Sequence, residues 1–200
     1  MIKKLFVFAI AGLIMYSCGQ PTEEAERVED KEDKAELTQE EQAFLDNLAS
    51  LCNKSFRGEQ VYMEEGRESW EDMDFVMHVT VCEDDLVHIP FHLDDDESRT
   101  WMFLADEEGL RFRHDHRHED GTPEEQTLYG GYADGEGTAY KQRFPVDRYS
   151  QDLLDDQEGM RRWDVVLDED LSTFSYRLLY HGDIVFQADF DLTEPIDVEE

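Results

Sequence analysis

From Phe75 to Phe190 apolar residues keep returning at every second position. Phe75, Met77, Val79 and Val81 alternate with Val76, His78, Thr80 and Cys82. Val87, Ile89, Phe91 and Leu93 alternate with His88, Pro90 and His92. Trp101 and Phe103 follow, then Leu110 and Phe112, then runs from Tyr140 to Phe144, Trp163 to Leu167, Phe174 to Tyr180 and Ile184 to Phe190. A period of two buries one face of an extended strand, and short strands broken by Gly and Asp turns indicate an antiparallel meander. Gly130-Gly131 and the stretch Asp134–Gly137 read as the clearest turns. About nine or ten strands predict a mainly β fold. We expect a lipocalin-like up-and-down barrel with one N-terminal helix, because closure removes exposed strand edges. A β-sandwich is the alternative that periodicity leaves open.

The helix comes first. Thr38 and Glu41 have capping-box spacing, and Phe44, Leu45, Leu48, Leu51 and Cys52 share one helical face. The spacing predicts a helix ending near Leu51.

The chain opens MIKKLFVFAIAGLIMYSCGQ. Lys3 and Lys4 precede an apolar run from Leu5 to Tyr16, too short to cross a bilayer of about 30 Å as a helix. It resembles a bacterial lipoprotein signal with Cys18 as the lipidated residue. An ordinary cleaved signal and an uncleaved anchor are the alternatives. The lipoprotein reading divides the chain into a signal peptide at 1–17, a lipidated Cys18 with an acidic tether at 18–36, and one β-rich domain at 37–200. The tether, Gly19 to Glu36, holds eight acids and three bases with almost no large apolar residue. It is similar to the acidic export signals of some surface lipoproteins.

Loss of Lys3 and Lys4 with the signal leaves 16 basic against 51 acidic residues, a formal charge of −35. Such a surface repels phosphate backbones and anionic headgroups alike. Nucleic acid is therefore excluded as a partner, and contact with the lipid bilayer falls to the acyl anchor. The expected location is the outer membrane or the cell surface. In an exported compartment disulfides persist, and Cys52 and Cys82 are left to pair around a loop of about 31 residues. Two buried thiols are the alternative. If Val79 and Val81 face the core, Cys82 points outward, and the bridge pins the helix to the outside or rim.

One stretch carries chemistry: Arg111-Phe112-Arg113-His114-Asp115-His116-Arg117-His118. As a strand, it sets Leu110, Phe112, His114, His116 and His118 on one face and Arg111, Arg113, Asp115 and Arg117 on the other. If Leu110 and Phe112 face the core, the three histidines continue that row toward an open end, where a ligand site is expected. Asp115 points away from both neighbouring rings, so an orienting carboxylate must come from another strand or from Glu119 or Asp120.

Length limits metal binding. Residues i and i+2 of a strand lie roughly 7 Å apart and i and i+4 roughly 13 Å. With zinc–nitrogen bonds of about 2.0–2.1 Å, two adjacent histidines of the row can share zinc and all three cannot. His78, His88 and His92 lie opposite their apolar neighbours and should face out. A rim of solvated histidines, a ligand-contacting row and a zinc site at His114, His116 and His118 therefore all stay open.

Arg99 follows the acidic loop Asp94–Glu97, so it is either an anion contact or a partner for those acids. Trp101 reads as core or cavity lining. The acidic loop lacks the alternate spacing and central glycine of an EF-hand. No G-x-S-x-G, phosphate-binding loop, dinucleotide fingerprint or H-E-x-x-H occurs. The leading expectation is a module binding a small or extended ligand through His114, His116, His118, Arg99 and Trp101, or an envelope interaction module. Its rival is a metal-assisted hydrolase using the histidine row.

The runs Ile89-Pro90-Phe91-His92, Ser98-Arg99-Thr100-Trp101, His114 to Gly121, and Tyr129-Gly130-Gly131 resemble those of a family of uncharacterised exported bacterial proteins. The resemblance spans about Leu51 to Leu192. It implies export and one shared fold, and transfers no catalytic residue.

Overall fold

A computed structural model describes residues 37–196. The signal, Cys18 and the acidic tether lie outside the described residues. Helix α1 spans Gln39–Ala49 and precedes β1 (Lys54–Met63), β2 (Phe75–Val79), β3 (Val81–Glu83), β4 (Leu86–Leu93), β5 (Asp96–Asp106), β6 (Gly109–His116), β7 (Tyr129–Tyr132) and β8 (Lys141–Pro145). A short α2 (Arg148–Leu153) leads into β9 (Arg161–Leu167), β10 (Thr173–Tyr180) and β11 (Asp183–Asp191).

The strands run round in the order β7-β6-β5-β4-β2-β1-β11-β10-β9-β8, with β3 added beside β4. Neighbours are consecutive in sequence except at two places: β2 pairs with β4, past the short β3, and β1 pairs with β11, joining the two ends of the domain. The result is a nearly closed antiparallel up-and-down barrel, and the sandwich is set aside. The remaining gap lies between β7 and β8. Backbone hydrogen bonds from Asp147 to Gly130 (3.0 Å) and from Asp134 to Arg143 (3.1 Å) cross it.

That seam corrects the reading of Gly130-Gly131 as a turn. Both lie inside β7. A Cβ on Gly131 would stand 1.8 Å from the Pro145 carbonyl oxygen, and one on Gly130 would stand 2.1 Å from that of Phe112. The pair is there because the backbones approach too closely for any side chain.

Alternation holds along the strands because inward residues pack together. Phe75, Met77, Val79, Val87, Ile89, Phe91, Trp101, Phe103, Leu110, Phe112, Phe144, Trp163, Val165, Phe174 and Phe190 form one buried core. Side chains fill the barrel, as expected for this strand number. The two tryptophans and the phenylalanines interlock; Phe91 stacks on Trp101 with ring centres 4.7 Å apart, and Trp101 stacks on Tyr176 at 4.6 Å.

The helix closes one end. Its capping box is complete: the Glu41 amide donates to the Thr38 hydroxyl, and the Thr38 amide donates to the Glu41 carboxylate. Phe44, Leu45 and Leu48 are fully buried, and Phe44 meets Phe103 edge-on at 6.0 Å. Asn47 donates 2.8 Å to the Ala139 carbonyl, fixing the helix against the segment before β8.

Cys52 and Cys82 form a disulfide, with Cα atoms 6.1 Å apart. Cys82 does not point outward. Met77 faces Phe91 in β2, whereas Val81 faces His88 in β3. One residue more than regular pairing needs is thus accommodated at Thr80. That bulge reverses the alternation. Cys82 stands opposite the buried Val87 and packs against the core. The bridge ties the chain just after α1 to the inner side of the sheet.

Candidate functional site

The other end of the barrel is open, and two rungs of paired residues line it. On one rung Ile89 faces Trp101, Trp101 faces His114, and His114 faces Tyr129. On the next Phe91 faces Arg99, and Arg99 faces His116. Directly opposed side chains on one face have Cβ atoms about 4.5–5.5 Å apart, so these residues form a continuous patch across β4, β5, β6 and β7. All of them but Ile89 line a cleft of about 340 Å³, together with Trp70, Tyr176, the apolar Met63, Leu178 and Phe186, and the charged Arg67 and Glu68.

The inward row thus runs Leu110, Phe112, His114, His116, from sealed core to open mouth. His114 is almost wholly buried, and its Nδ1 lies 3.0 Å from the Tyr129 hydroxyl. We assign the phenol as the donor, since the His114 nitrogen is its only side-chain partner among the described residues. Desolvation, helped by His116 and Arg99, holds the His114 pKa down at about 3. The ring is neutral at physiological pH and carries its proton on Nε2. Among the described residues that nitrogen has no hydrogen-bond partner, and neither has the buried indole nitrogen of Trp101.

His116 is oriented by a residue that the sequence reading passed over. β6 ends at His116, and the loop behind it turns back: the Glu124 amide donates to the His116 carbonyl at 3.0 Å, and the His116 amide donates to the Thr127 hydroxyl at 2.7 Å. This brings a Glu124 carboxylate oxygen 2.8 Å from His116 Nδ1, off the line of a regular hydrogen bond. The orienting carboxylate is therefore neither Glu119 nor Asp120. Asp115 faces away, as alternation requires, and accepts from Arg117 Nε at 2.6 Å and from the Thr127 hydroxyl at 2.8 Å.

Arg99 is a partner for the acidic loop and also lines the cleft. Its Nη1 donates to Asp96 at 2.5 Å, and its guanidinium lies over the Trp70 ring, 5.7 Å from the ring centre. The Asp96 carboxyl is held at a pKa of about 2 by hydrogen bonds from Ser98 and Arg99, which outweigh its partial burial. Trp70 sits in the loop between β1 and β2. Gln60 accepts from the Trp70 amide at 2.8 Å, and Phe186 meets the indole edge-on at 5.4 Å.

His114, His116, Arg99 and Trp101 are brought together in this cleft. His118 is not. It lies past the end of β6, exposed, in the turn that closes back through Gly121. The strand stops two residues before the predicted row does. With His118 apart, the three-histidine zinc set does not assemble. Among the described residues no group of three or more His, Cys, Asp or Glu stands together as a metal site.

His78 and His92 face outward. His78 Nε2 and His92 Nδ1 lie 3.1 Å apart. Burial holds the pKa of each below the ordinary imidazole value, and for His78 the neighbouring His92 adds to this. His88, also lowered by burial, faces outward on β4 opposite Met102. None of these three lines the cleft.

A scan against protein-family models gives no match, and comparisons with curated proteins and with solved structures give none either.

Proposed function

We propose that this is an envelope lipoprotein, anchored through Cys18, whose barrel binds a small molecule at its open mouth. One observation carries the reading: a cleft at the open mouth in which two buried N–H groups, on Trp101 and His114, have no partner among the described residues. Burying a polar group unpaired costs about 1–3 kcal/mol, and a ligand oxygen removes that cost. The volume is at the lower end of the range for small-molecule sites, about 300–1,000 Å³. The apolar walls with a few convergent polar groups match the usual composition of such sites. The anchor is supported by the lipoprotein-like signal and the acidic spacer behind it.

The test is native mass spectrometry on protein purified from its own envelope, followed by release of bound material and metal analysis. A small organic molecule released in near-equal amount, and lost from Arg99→Ala, supports the reading. No organic molecule, but one metal ion per chain that disappears in His116→Ala, overturns it in favour of metal-assisted hydrolysis at the histidine row.

A further inference from the structure

The chemistry of the cleft narrows what it takes. The inference rests on the proposed binding role of the mouth and concerns the class of ligand. On the β5–β6 side of the cleft Trp101, His114 and Arg99 offer donors. Trp101 Nε1–H can only donate. His114 Nε2 carries its proton because Nδ1 is occupied by the Tyr129 hydroxyl. Arg99 offers further N–H groups beyond the Nη1 bond to Asp96. Trp101 and His114 are direct cross-strand partners, so their donors serve one ligand group rather than two.

The flat faces of Trp101 are already covered. Phe91 lies on one side and Tyr176 on the other, at interplanar angles of 14° and 13°. The indole therefore meets a ligand with its N–H edge and not by ring stacking. Opposite these donors the wall is Met63, Leu178 and Phe186, which are aliphatic or edge-on aromatic. One side of the cleft thus asks for a hydrogen-bond acceptor and the other for hydrocarbon.

We infer that the mouth binds a small apolar molecule ending in an acceptor oxygen, a carboxylate or a carboxamide, with its oxygen between Trp101 Nε1–H and His114 Nε2–H and its hydrocarbon against Met63, Leu178 and Phe186. An ammonium placed between Trp101 and His114 would face N–H donors and would also meet Arg99, so ligands ending in one are disfavoured at that point; the one carboxylate of the lining, Glu68, belongs to the loop between β1 and β2 and not to the strands that carry those donors. This selection runs against the protein's net charge of −33, which by itself would draw cations in.

The test is calorimetric titration of the purified full chain with octanoate, octanamide, octylamine and plain octane-saturated buffer. Octanoate and octanamide are expected to bind, with octylamine at least tenfold weaker. Trp101→Phe, which keeps the aromatic stack and removes the N–H, is expected to weaken octanoate about tenfold. Tyr129→Phe deletes one hydroxyl and leaves the fold intact. It frees His114 Nδ1 to take the proton, so the preference for octanoate over octylamine should shrink; a purely structural role would not change that ratio. Octylamine binding as well as octanoate, or octane binding alone, overturns the acceptor class while leaving a binding mouth in place. No heat from any of the four in a folded chain overturns this inference and leaves the mass-spectrometric test to decide the broader reading.

Discussion

The two ends of the barrel are built from the same β4–β6 sheet but finished in opposite ways. At one end α1 drops Phe44, Leu45 and Leu48 onto Phe103 and its neighbours, and the Cys52–Cys82 bridge holds the helix exit in place. At the other end the inward positions change from Phe112 to His114 and His116, and from Phe103 and Trp101 to Arg99. Buried hydrocarbon gives way to unpartnered N–H groups within one or two residues along the same strands. The sealed end stabilises. The open end gives up part of that stability to keep donors available, as functional sites commonly do.

The contrast predicts where substitutions cost stability and where they cost binding. The largest effect is expected at the sealed end: Phe44→Ala, at a position with no exposed surface, should lower unfolding free energy by about 3–5 kcal/mol. At the mouth Trp70→Ala, in a half-exposed loop, should cost only about 1 kcal/mol while abolishing ligand binding. Denaturant titration of the two variants together breaks the comparison if their losses are equal. Next comes the bridge. Its sequence separation of 30 makes the paired change Cys52→Ser with Cys82→Ser worth about 3–4 kcal/mol on the chain-entropy model, with octanoate affinity in the folded protein unchanged.

A further effect concerns pH. His114 titrates near 3 when folded and near the ordinary 6.5 when unfolded, so between those values the unfolded chain binds more protons. Stability from this residue is complete above about pH 6.5 and is lost progressively as pH falls toward 3. His78, His88 and His92, also lowered by burial, act in the same direction. His114→Gln should flatten the slope of melting temperature against pH between 6.5 and 4 relative to the parent chain. A slope unchanged by the substitution would show that His114 is not held neutral.

The strands and the core were legible in the sequence because period-two burial is a direct consequence of backbone geometry. The capping box placed the start of α1, and loop closure made the disulfide sensible. The misreadings have physical causes. β1, Lys54–Met63, shows no alternation because Phe56 is its only fully buried residue, so the pattern that marks a strand is absent. Thr80 carries an extra residue opposite His88, and a bulge has no side-chain signature that would move Cys82 to the inner face. Gly130-Gly131 has the composition of a turn, yet Gly131 serves backbone contact with Pro145 across the barrel gap and Gly130 with Phe112 of β6.

At the mouth, the inward direction of His114 and His116 followed from alternation, whereas Arg99 stood out only beside its acidic loop and Trp101 only as core or cavity lining; their place next to the histidines comes from the pairing of β5 with β6. Glu124 did not. It reaches His116 only because the segment after β6 folds back on Thr127, a tertiary event that local spacing cannot encode. Tyr129 and Tyr176 reach the cleft from two separate strands and carried no signal as cleft residues.

The gap between β7 and β8 has a kinetic consequence. Local opening begins where the fewest bonds hold a structure together. Two backbone hydrogen bonds span this gap, against seven registered pairs between β9 and β10. Tyr129, which fixes the His114 proton, is the first residue of β7. The amides of Asp134 and Asp147, which donate across the gap, report its opening by hydrogen exchange. A ligand too large for the resting mouth would enter at the rate of their exchange, making the barrel's weakest junction its door.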